Sequence, residues 1–384
     1  GGLTENNLAI EELVIPLNNL VVITGVSGSG KSTLINQIVY PALKKKFGTY
    51  NGYIGKHRYI DSSILFDKIE MVDQSPIGKS SRSTPATYTK VFDWIRDLFE
   101  RQPAAKNLGW RSGYFSFNVP GGRCETCEGE GYVTVNMQFL PDVSLICETC
   151  KGTRYKKEIN NVQIKGKSIV DVLNMTVDEA LEFFIPYKKI HSKLQVLQDV
   201  GLGYVQLGQP SSMLSGGESQ RVKMAMYLDS DESSKGLFIF DEPTTGLHID
   251  DISKLITCFR NLIKNGNSVI IIEHNLHIIS NADWIIDLGP EAGENGGQVV
   301  ATGNVPAIMN NPNSLTGKAI KDFLEERKIE LKAKPSDDLS GISKSKYFQL
   351  KMQQMEKMNN DKGSKKEKLQ QNIIDPNQVD LFDH

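Results

Sequence analysis

The sequence predicts an α/β fold whose sheet is interrupted, in the middle of the chain, by helical segments and a cysteine-rich knuckle. Two observations carry this prediction. Short apolar runs rich in β-branched residues alternate with helical patterns at both ends of the chain, which is typical of a parallel sheet. Two Cys-x-x-Cys pairs lie between these two stretches. The expected strands are LVVIT (residues 20–24), LFIFDE (237–242), SVIIIEH (268–274), WIIDLG (284–289) and QVVATG (298–303).

Helical patterns and changes in composition divide the chain into four predicted parts. Helices are expected from near Lys31 to residue 43 and over residues 251–265, and two more around TYTKVFDWIRDLFE and TVDEALEFF in the middle. We expect a first core part at residues 1–79, an insertion at 80–205 with a cysteine module at about 114–158, and a second core part at 206–324. Residues 325–384 are polar and rich in Lys, Gln and Asn, which indicates a solvated helix or a disordered tail.

Composition and charge are those of an ordinary globular protein. With 384 residues, of which 39% are hydrophobic and 23% charged, the chain can bury a sizeable core. No apolar run approaches the roughly 20 residues of a membrane helix, and the first residues form no signal peptide, so we expect no membrane partner. A net charge of −2 confines any nucleic-acid surface to a local patch. Four of the five cysteines lie in the two pairs, which favours a metal site in a reducing, cytoplasmic setting over disulfides.

A phosphate-binding loop follows the first predicted strand. GVSGSGKS (residues 25–32) fits the pattern G-x-x-x-x-G-K-[ST], in which glycines let backbone N–H groups converge on phosphate oxygens. Lys31 would reach the β- and γ-phosphates, and the hydroxyl of Ser32 would bind Mg²⁺. A chance Gly/Ser turn is the alternative, but a strand before the loop and a helix after it argue against that. The residues expected to bind ATP here are Gly25, Ser27, Gly28, Gly30, Lys31, Ser32 and Thr33.

Two carboxylates end the predicted strand at residues 237–242. Asp241 would hold Mg²⁺, directly or through water, and Glu242 is placed to polarise the attacking water. Solvated carboxylates at a strand end would be an equally good interpretation in isolation. The phosphate loop upstream argues against that interpretation, so we expect Lys31 and Glu242 to be catalytic.

A second phosphate-binding surface is predicted at LSGGESQR (residues 214–221), where a helix would begin. Exposed N–H groups at a helix start and a serine hydroxyl suit a phosphate, although SGG alone predicts no more than a capped helix. One nucleotide rarely needs two such surfaces from one chain. We therefore expect a nucleotide held between two modules, with the loop of one facing the serine of the other. The residues expected to bind ATP here are Ser215, Gly216, Gly217 and Glu218.

The two cysteine pairs predict a structural zinc site. Each Cys-x-x-Cys turn directs two sulfurs at one centre, and four thiolates complete a tetrahedral Zn²⁺ site with no open position. An iron–sulfur cluster is a remote alternative. The expected zinc ligands are Cys124, Cys127, Cys147 and Cys150. A small insertion buries too little apolar surface to be rigid by itself, so the metal would fix it.

Basic and aromatic residues surround the cysteine pairs in the sequence. The basic ones are Arg111, Arg123, Arg154, Lys156 and Lys157, and the aromatic ones are Trp110, Tyr114, Phe115, Phe117 and Tyr155. Interleaving of the two types suits contacts with a DNA backbone. A purely structural zinc clip with a solvated, charged rim explains the same residues equally well. The residues alone leave both interpretations open.

The order of these motifs resembles that of an ABC-type ATPase. GVSGSGKS, LSGGESQR, LFIFDEP and IIIEH follow one another as they do in that family. The resemblance implies an ABC-type P-loop ATPase core with inserted helical and zinc-knuckle subdomains. It also implies that Gln74, in VDQSPIG, couples the nucleotide to the inserted domains and that His274 contacts the γ-phosphate.

A closer resemblance is to the C-terminal ATPase module of the UvrA family, over about residues 5–320. It rests on the phosphate loop and FDEPTTGLH together with DQSPIGKSSRSTPATYTKVFD, FSFNVPGGRCETCEGEG, MQFLPDV and CETCKGTRY. The resemblance implies that the chain hydrolyses ATP and couples this to binding of damaged duplex DNA in nucleotide-excision repair, and that it is not itself the nuclease. It also favours the interpretation that the basic and aromatic residues around the cysteine pairs contact DNA.

The resemblance also bears on partners. UvrA proteins carry two ABC modules in one chain and this sequence has one. The implied partners are therefore a second module or a second copy of this chain, and UvrB through a region outside this sequence. The alternative function is that of an ABC ATPase module coupled to a protein partner in transport, resistance or translation.

Overall fold

A six-stranded sheet forms the centre of the molecule. The computed structural model describes residues 1–326, apart from residues 49, 79, 81, 136, 138–142 and 229–234. The strands of the sheet are β1 (Leu20–Gly25), β2 (Lys68–Val72), β5 (Gly236–Asp241), β6 (Ser268–Ile272), β7 (Trp284–Gly289) and β8 (Gln298–Gly303), and a separate hairpin consists of β3 (Tyr132–Val135) and β4 (Val143–Ile146). The order in the sheet is β2-β5-β6-β1-β7-β8, and all neighbours are parallel except the antiparallel pair β7 and β8.

Helices cover the sheet and build most of the insertion. The segment after the phosphate loop is π-helical over Thr33–Val39 and continues directly as α1. The α-helices are α1 (Tyr40–Phe47), α2 (Pro85–Tyr88), α3 (Val91–Glu100), α4 (Pro103–Asn107), α5 (Ile169–Asn174), α6 (Val177–Phe183), α7 (Lys188–Asp199), α8 (Gly216–Leu228), α9 (Ile249–Lys264), α10 (Leu276–Ile279), α11 (Val305–Met309) and α12 (Leu315–Glu326).

The sheet buries both of its faces, which explains the continuous apolar runs of its inner strands. In β1, Leu20 and Val22 face one core, whereas Val21 and Ile23 face the other. All four side chains are almost completely buried. Each aliphatic side chain buried in this way stabilises the fold by roughly 1.5–3 kcal/mol relative to exposure. The strand that carries the phosphate loop is therefore held firmly from both sides.

The α/β prediction is confirmed, and the five predicted strands are present within two residues of their expected ends. One strand of the sheet, β2, was not predicted. It lies at the edge of the sheet, and its sequence KIEMV alternates charged and apolar residues instead of forming an apolar run. The helix predicted over residues 251–265 is α9.

Sheet topology brings the predicted motifs to one edge. Ile272 in β6 pairs with Ile23 in β1 on one side and with Asp241 in β5 on the other. Because these three strands are parallel, their carboxyl ends meet at the same edge of the sheet. The phosphate loop, the two carboxylates and His274 follow these strand ends and therefore converge.

The insertion has an aromatic core, which belongs to the same apolar cluster as one face of the sheet. Phe92 packs against Phe117, with ring centroids 5.3 Å apart, and Phe99 packs against Phe115 at 5.6 Å. The hydroxyl of the buried Tyr155 donates to the carbonyl of Phe115 at 2.7 Å. The cysteine knuckle and the β3–β4 hairpin project from this core, and all four side chains of β4 are exposed.

The C-terminal part of the described chain ends with α12. The polar tail predicted at residues 325–384 therefore lies, from residue 327 onward, outside the described residues. Within the described part, no helix combines the length and the apolar character needed to cross a membrane.

Candidate nucleotide site and metal centre

The phosphate loop keeps its shape because glycines occupy positions that no other residue fits. A Cβ on Gly25 would lie 1.9 Å from the carbonyl oxygen of Leu288 in the neighbouring strand. Gly30 has a φ of +99°, and a Cβ there would lie 2.7 Å from a methyl group of Leu8. Both positions therefore exclude side chains, and the loop turns tightly between β1 and the helix that follows.

Lys31 lies inside this loop and is almost fully buried. Its ammonium donates to the carbonyl oxygens of Gly25 at 2.9 Å and Val26 at 2.7 Å. Burial lowers the pKa of Lys31, and the carboxylates of Glu242 and Asp241, among others, oppose this shift. A cation held at this point is suited to the phosphate-binding role that the sequence predicts for Lys31.

Oxygen atoms suited to a magnesium ion lie beside the loop. Asp241 ends β5, and burial raises the pKa of its carboxyl. The side-chain amide of Asn36 lies 3.5 Å from an oxygen of Asp241, and the other amide atom, Oδ1, is buried and accepts no hydrogen bond from the described residues. Mg²⁺ prefers such oxygen donors, so Asp241 and the exposed hydroxyl of Ser32 fit the predicted ion.

Glu242 and His274 face each other across the site. The Nε2 atom of His274 lies 3.8 Å from Oε1 of Glu242, and both side chains are about half exposed. Glu242 has a φ of +49°, a left-handed conformation that is uncommon for a residue with a side chain. Its backbone N–H donates to the carbonyl of Ile272 in β6 at 2.9 Å, which fixes this conformation. Strained backbone held by its surroundings is typical of functional positions.

Glu273 is a site residue that the sequence analysis missed. Its buried carboxylate accepts hydrogen bonds from the backbone N–H of Thr244 at 3.1 Å, of His274 at 2.7 Å and of Asn275 at 2.9 Å, and also from the hydroxyl of Thr244. It thereby ties the loop after Glu242 to the segment that carries His274. A carboxylate at the buried end of an apolar strand was the available signal, because it must find such partners.

The N-terminal segment also contacts the phosphate loop, and this too was missed. The side-chain amide of Asn7 donates to the carbonyls of Gly28 at 3.1 Å and Gly293 at 3.0 Å. The amide of Asn6 donates to Thr33 Oγ1 at 3.3 Å and to the side chain of Gln37 at 3.1 Å. Two adjacent asparagines thus support the loop and the start of its helix. No motif in the sequence pointed to them.

The predicted second phosphate surface lies at the start of α8, in contact with Gln74. The Nε2 atom of Gln74 lies 3.5 Å from the hydroxyl of Thr245, and a Cβ on Gly216 would lie 3.0 Å from the Cβ of Gln74. Ser215 Oγ accepts from the N–H of Glu218 at 3.2 Å, and the carboxylate of Glu218 accepts from the N–H of Ser215 at 2.7 Å. The segment therefore begins the helix with a capping box.

The four predicted zinc ligands lie together. The Sγ atoms of Cys124, Cys127, Cys147 and Cys150 all lie within 4.8 Å of one another, and all four side chains are buried. The Sγ atoms are 3.9 Å apart for Cys124 and Cys147, and 3.6 Å apart for Cys127 and Cys150. Tetrahedral zinc with Zn–S bonds of about 2.3 Å requires a separation of about 3.8 Å. The cluster therefore fits a zinc ion.

Backbone groups of the knuckle are arranged to support thiolates. The N–H of Gly131 donates to the Sγ of Cys127 at 3.3 Å. The backbone N–H of Cys150 lowers the pKa of Cys147 to about 7, whereas burial raises the pKa of Cys150 to about 12 and also raises that of Cys127. The two turns are also joined directly, because the hydroxyls of Thr126 and Thr149 lie 2.9 Å apart. Backbone hydrogen bonds to sulfur of this kind are typical around structural metal sites.

The predicted DNA-contacting residues differ in their exposure. Arg111 and Lys157 are exposed, and Arg111 pairs with Glu100 at 3.2 Å. Arg123 and Lys156 are less exposed, and each is paired with a glutamate of the knuckle, Glu128 and Glu125 respectively. Four of the five basic residues therefore lie at the surface of the insertion.

Arg154 requires a correction. Its side chain is 7% exposed, with the guanidinium over the ring of Phe117 at 5.0 Å, and burial lowers its pKa. It packs in the core and presents no charge to a DNA backbone. The prediction is also wrong for three of the aromatic residues, Phe115, Phe117 and Tyr155, because their side chains are buried. Trp110 and Tyr114 are half-buried and stack on each other at 4.1 Å.

Comparisons with known proteins agree with this geometry. The chain is 53% identical over 327 residues to UvrABC system protein A of Aquifex aeolicus and 53% identical over 323 residues to that of Clostridium perfringens. Identity to the protein of Bacillus subtilis is 50% over 332 residues. These matches cover 85%, 84% and 86% of this chain, but only 35%, 34% and 35% of the relatives. The chain therefore spans about a third of the length of the curated relatives it matches.

A solved structure gives the same result. The crystal structure of UvrA2 from Deinococcus radiodurans is similar with a TM-score of 0.77 and 44% sequence identity, over 84% of this chain and 38% of that one. No family model matches the chain. Sequence similarity, similarity in fold and the order of the motifs all lead to UvrA proteins. The chain belongs to the UvrA family.

Proposed function

We propose that this chain is an ATP-hydrolysing module of ABC type. The observation that carries the proposal is the convergence of Lys31, Asp241, Glu242 and His274 at the carboxyl ends of three adjacent parallel strands. The phosphate loop and Lys31 would hold the phosphates, Ser32 and Asp241 would hold Mg²⁺, and Glu242 would polarise the attacking water. When bound, Mg²⁺ would neutralise charge on the phosphate oxygens.

The roles of the other predicted residues follow from their positions. His274 lies within reach of Glu242 and would contact the γ-phosphate. Gln74 lies between the end of β2 and the start of α8, where it would couple the nucleotide to the insertion. The proposed core consists of residues 1–79 and 206–324, since both parts contribute strands to one sheet, and residues 80–205 form the insertion.

The start of α8 would serve a second module. Ser215 contacts Glu218, Gly216 lies against Gln74, and Gly217 lies against Thr245. Lys31, in contrast, is held by carbonyl groups of the phosphate loop. We propose that Ser215 and the two glycines bind a nucleotide held by the phosphate loop of another module. That module is a second copy of this chain or the other ABC module of a UvrA protein.

This arrangement predicts a concentration-dependent ATPase. The rate per chain should rise as the concentration of the chain rises, because only the assembled sandwich completes each site. The measurement is a concentration series of ATPase rate with the molar mass followed by light scattering. Ser215→Ala should reduce the rate of the assembled form, whereas Ser253→Ala, a serine near the start of α9, should not. A constant rate per chain in a confirmed monomer would contradict the sandwich.

We further propose that the zinc-stabilised insertion contacts duplex DNA and that the chain acts in nucleotide-excision repair in the cytoplasm. The exposed Arg111 and Lys157 and the ion-paired Arg123 and Lys156 support this proposal, together with the UvrA relatives. Cys124, Cys127, Cys147 and Cys150 would hold the Zn²⁺ that keeps this surface rigid. Damaged duplex DNA would be the substrate, and any contact with UvrB would lie outside this chain.

A salt titration tests the DNA proposal. Binding through phosphates releases counterions, so affinity for duplex DNA should fall steeply with salt. The double variant Arg111→Ala/Lys157→Ala should reduce the slope of log K against log salt by about 2, since each lost phosphate contact removes roughly one unit. Lys254→Ala, a surface lysine on α9 paired with Asp251, is the control and should leave the slope unchanged.

Two outcomes separate the proposals from each other. An unchanged slope in the double variant would remove Arg111 and Lys157 from the DNA surface. Absence of DNA binding by an assembled, zinc-loaded chain that still hydrolyses ATP would favour an ABC module coupled to a protein partner. Comparison of intact and damaged duplexes in the same titration tests the preference for lesions.

A further inference from the structure

Arg221 is a buried cation in α8 with few partners. Its side chain is 2% exposed, and its Nε atom is buried without a hydrogen-bond partner among the described residues. The two terminal nitrogens donate at 3.4 Å to the carbonyl of Thr245 and at 3.4 Å to the hydroxyl of Tyr204. The carboxylate of Glu218 attracts this guanidinium, but both of these hydrogen bonds are long for a buried charge, and burial of a charge opposes folding. A role other than stability therefore has to be sought for Arg221.

On one side, Arg221 contacts the loop that carries Glu242. The N–H of Thr245 donates to the carbonyl of Glu242 at 3.3 Å, and its hydroxyl donates to the same oxygen at 3.0 Å. Gly217 lies against this loop as well, since a Cβ there would be 2.7 Å from the carbonyl oxygen of Thr245. A movement of Arg221 would therefore shift the turn that sets the position of Glu242.

On the other side, Arg221 is connected to Ser215. The hydroxyl of Tyr204 donates to Oε1 of Glu218 at 2.7 Å, and Oε2 of the same carboxylate accepts from the N–H of Ser215 at 2.7 Å. Burial alone would raise the pKa of Glu218, but the hydrogen bonds from Tyr204 and Ser215 outweigh it and the pKa is lowered. Glu218 is thus an anion whose two oxygens are shared between Ser215 and Tyr204.

We propose that Tyr204 and Arg221 are positioning residues that couple Ser215 to Glu242 within one chain. The inference rests on the proposed function, in which Ser215 contacts a nucleotide held by a second module. Ser215 then serves the site of the partner, while Glu242 serves the site of its own chain. The path Ser215–Glu218–Tyr204–Arg221–Thr245 makes hydrolysis at one site depend on the nucleotide at the other.

The test uses Tyr204→Phe and Arg221→Met in the assembled, zinc-loaded chain. Tyr204 is 59% exposed, so Tyr204→Phe removes only the hydroxyl and leaves the fold intact. The unaltered chain should hydrolyse ATP with a Hill coefficient above 1. Each variant should lower kcat about tenfold and bring the Hill coefficient to 1, with unchanged affinity of the monomer for ATP. The double variant should be no worse than either single one, because both act through one path.

Tyr59→Phe is the control, since Tyr59 is also a half-exposed tyrosine but contacts the N-terminal Gly1 instead of α8. It should leave kcat and the Hill coefficient unchanged. A Hill coefficient of 1 in the unaltered chain, or an unchanged one in Tyr204→Phe, would overturn the coupling while leaving the proposed ATPase intact. Absence of ATP hydrolysis by the unaltered chain at any concentration would overturn both proposals. If the losses in kcat of the two single variants were additive in the double variant, Tyr204 and Arg221 would not act through one path.

Discussion

Replacing Glu242 with glutamine should leave ATP binding intact and lower kcat by a factor of about 10² to 10⁴, the usual contribution of a general base. Glutamine has nearly the same shape but cannot accept the proton of the attacking water. The contacts of Lys31, Ser32 and Asp241 with phosphate and Mg²⁺ remain. The measurement is a pair of assays, one for binding of a fluorescent ATP analogue and one for phosphate release.

Lys31→Ala is the matched comparison, because it should abolish binding itself. The charge-assisted contact with phosphate is lost, and no second cation in the described loop replaces it. The two variants therefore separate binding from chemistry. Normal turnover in Glu242→Gln would refute the assignment of Glu242 as the general base.

Replacing Cys147 with serine should abolish stoichiometric zinc binding. Structural zinc contributes about 10–16 kcal/mol of binding free energy in small domains, and loss of one of four thiolates removes much of it. We expect one zinc per chain in the unaltered protein and a knuckle that is cut quickly by protease in Cys147→Ser. The ATP-binding core should survive, because its sheet is buried on both faces independently of the metal.

Cys258→Ser is the control for this experiment. Cys258 is a buried thiol on α9, and burial raises its pKa to about 12. Its replacement should keep the zinc content at one per chain. Metal analysis and limited proteolysis check both variants. Full zinc content in Cys147→Ser would show that the ligand set is different.

The sequence predicted the fold well where a single chemical requirement acts locally. An apolar β-branched run has to be buried on both faces, a glycine-rich loop with Lys31 has to turn tightly, and four spaced cysteines have to converge. The edge strand β2 lacks such a requirement, because only one of its edges pairs with another strand of the sheet and its charged residues interrupt the apolar run. It becomes a strand only when β5 is beside it.

The residues that the sequence could not assign depend on contacts between distant segments. Glu273 matters because Thr244 lies next to it, and Asn7 because Gly28 and Gly293 lie within reach of one amide. Arg154 was misjudged because a basic residue near a metal site reads as a surface charge. Only the packing of Phe117 beneath its guanidinium shows that it is a core residue.

The position of β1 in the sheet has a consequence for how the chain folds during synthesis. Its two neighbours are β6 and β7, which follow it by more than 240 residues, so one edge of β1 stays unpaired until residue 272 has been made and the other until residue 289. At roughly 5–20 residues per second this interval lasts on the order of 10–50 s. Contacts so distant in sequence also form slowly. An apolar strand is therefore exposed for a long time, and the nascent chain should depend on chaperones until the phosphate loop acquires its neighbours.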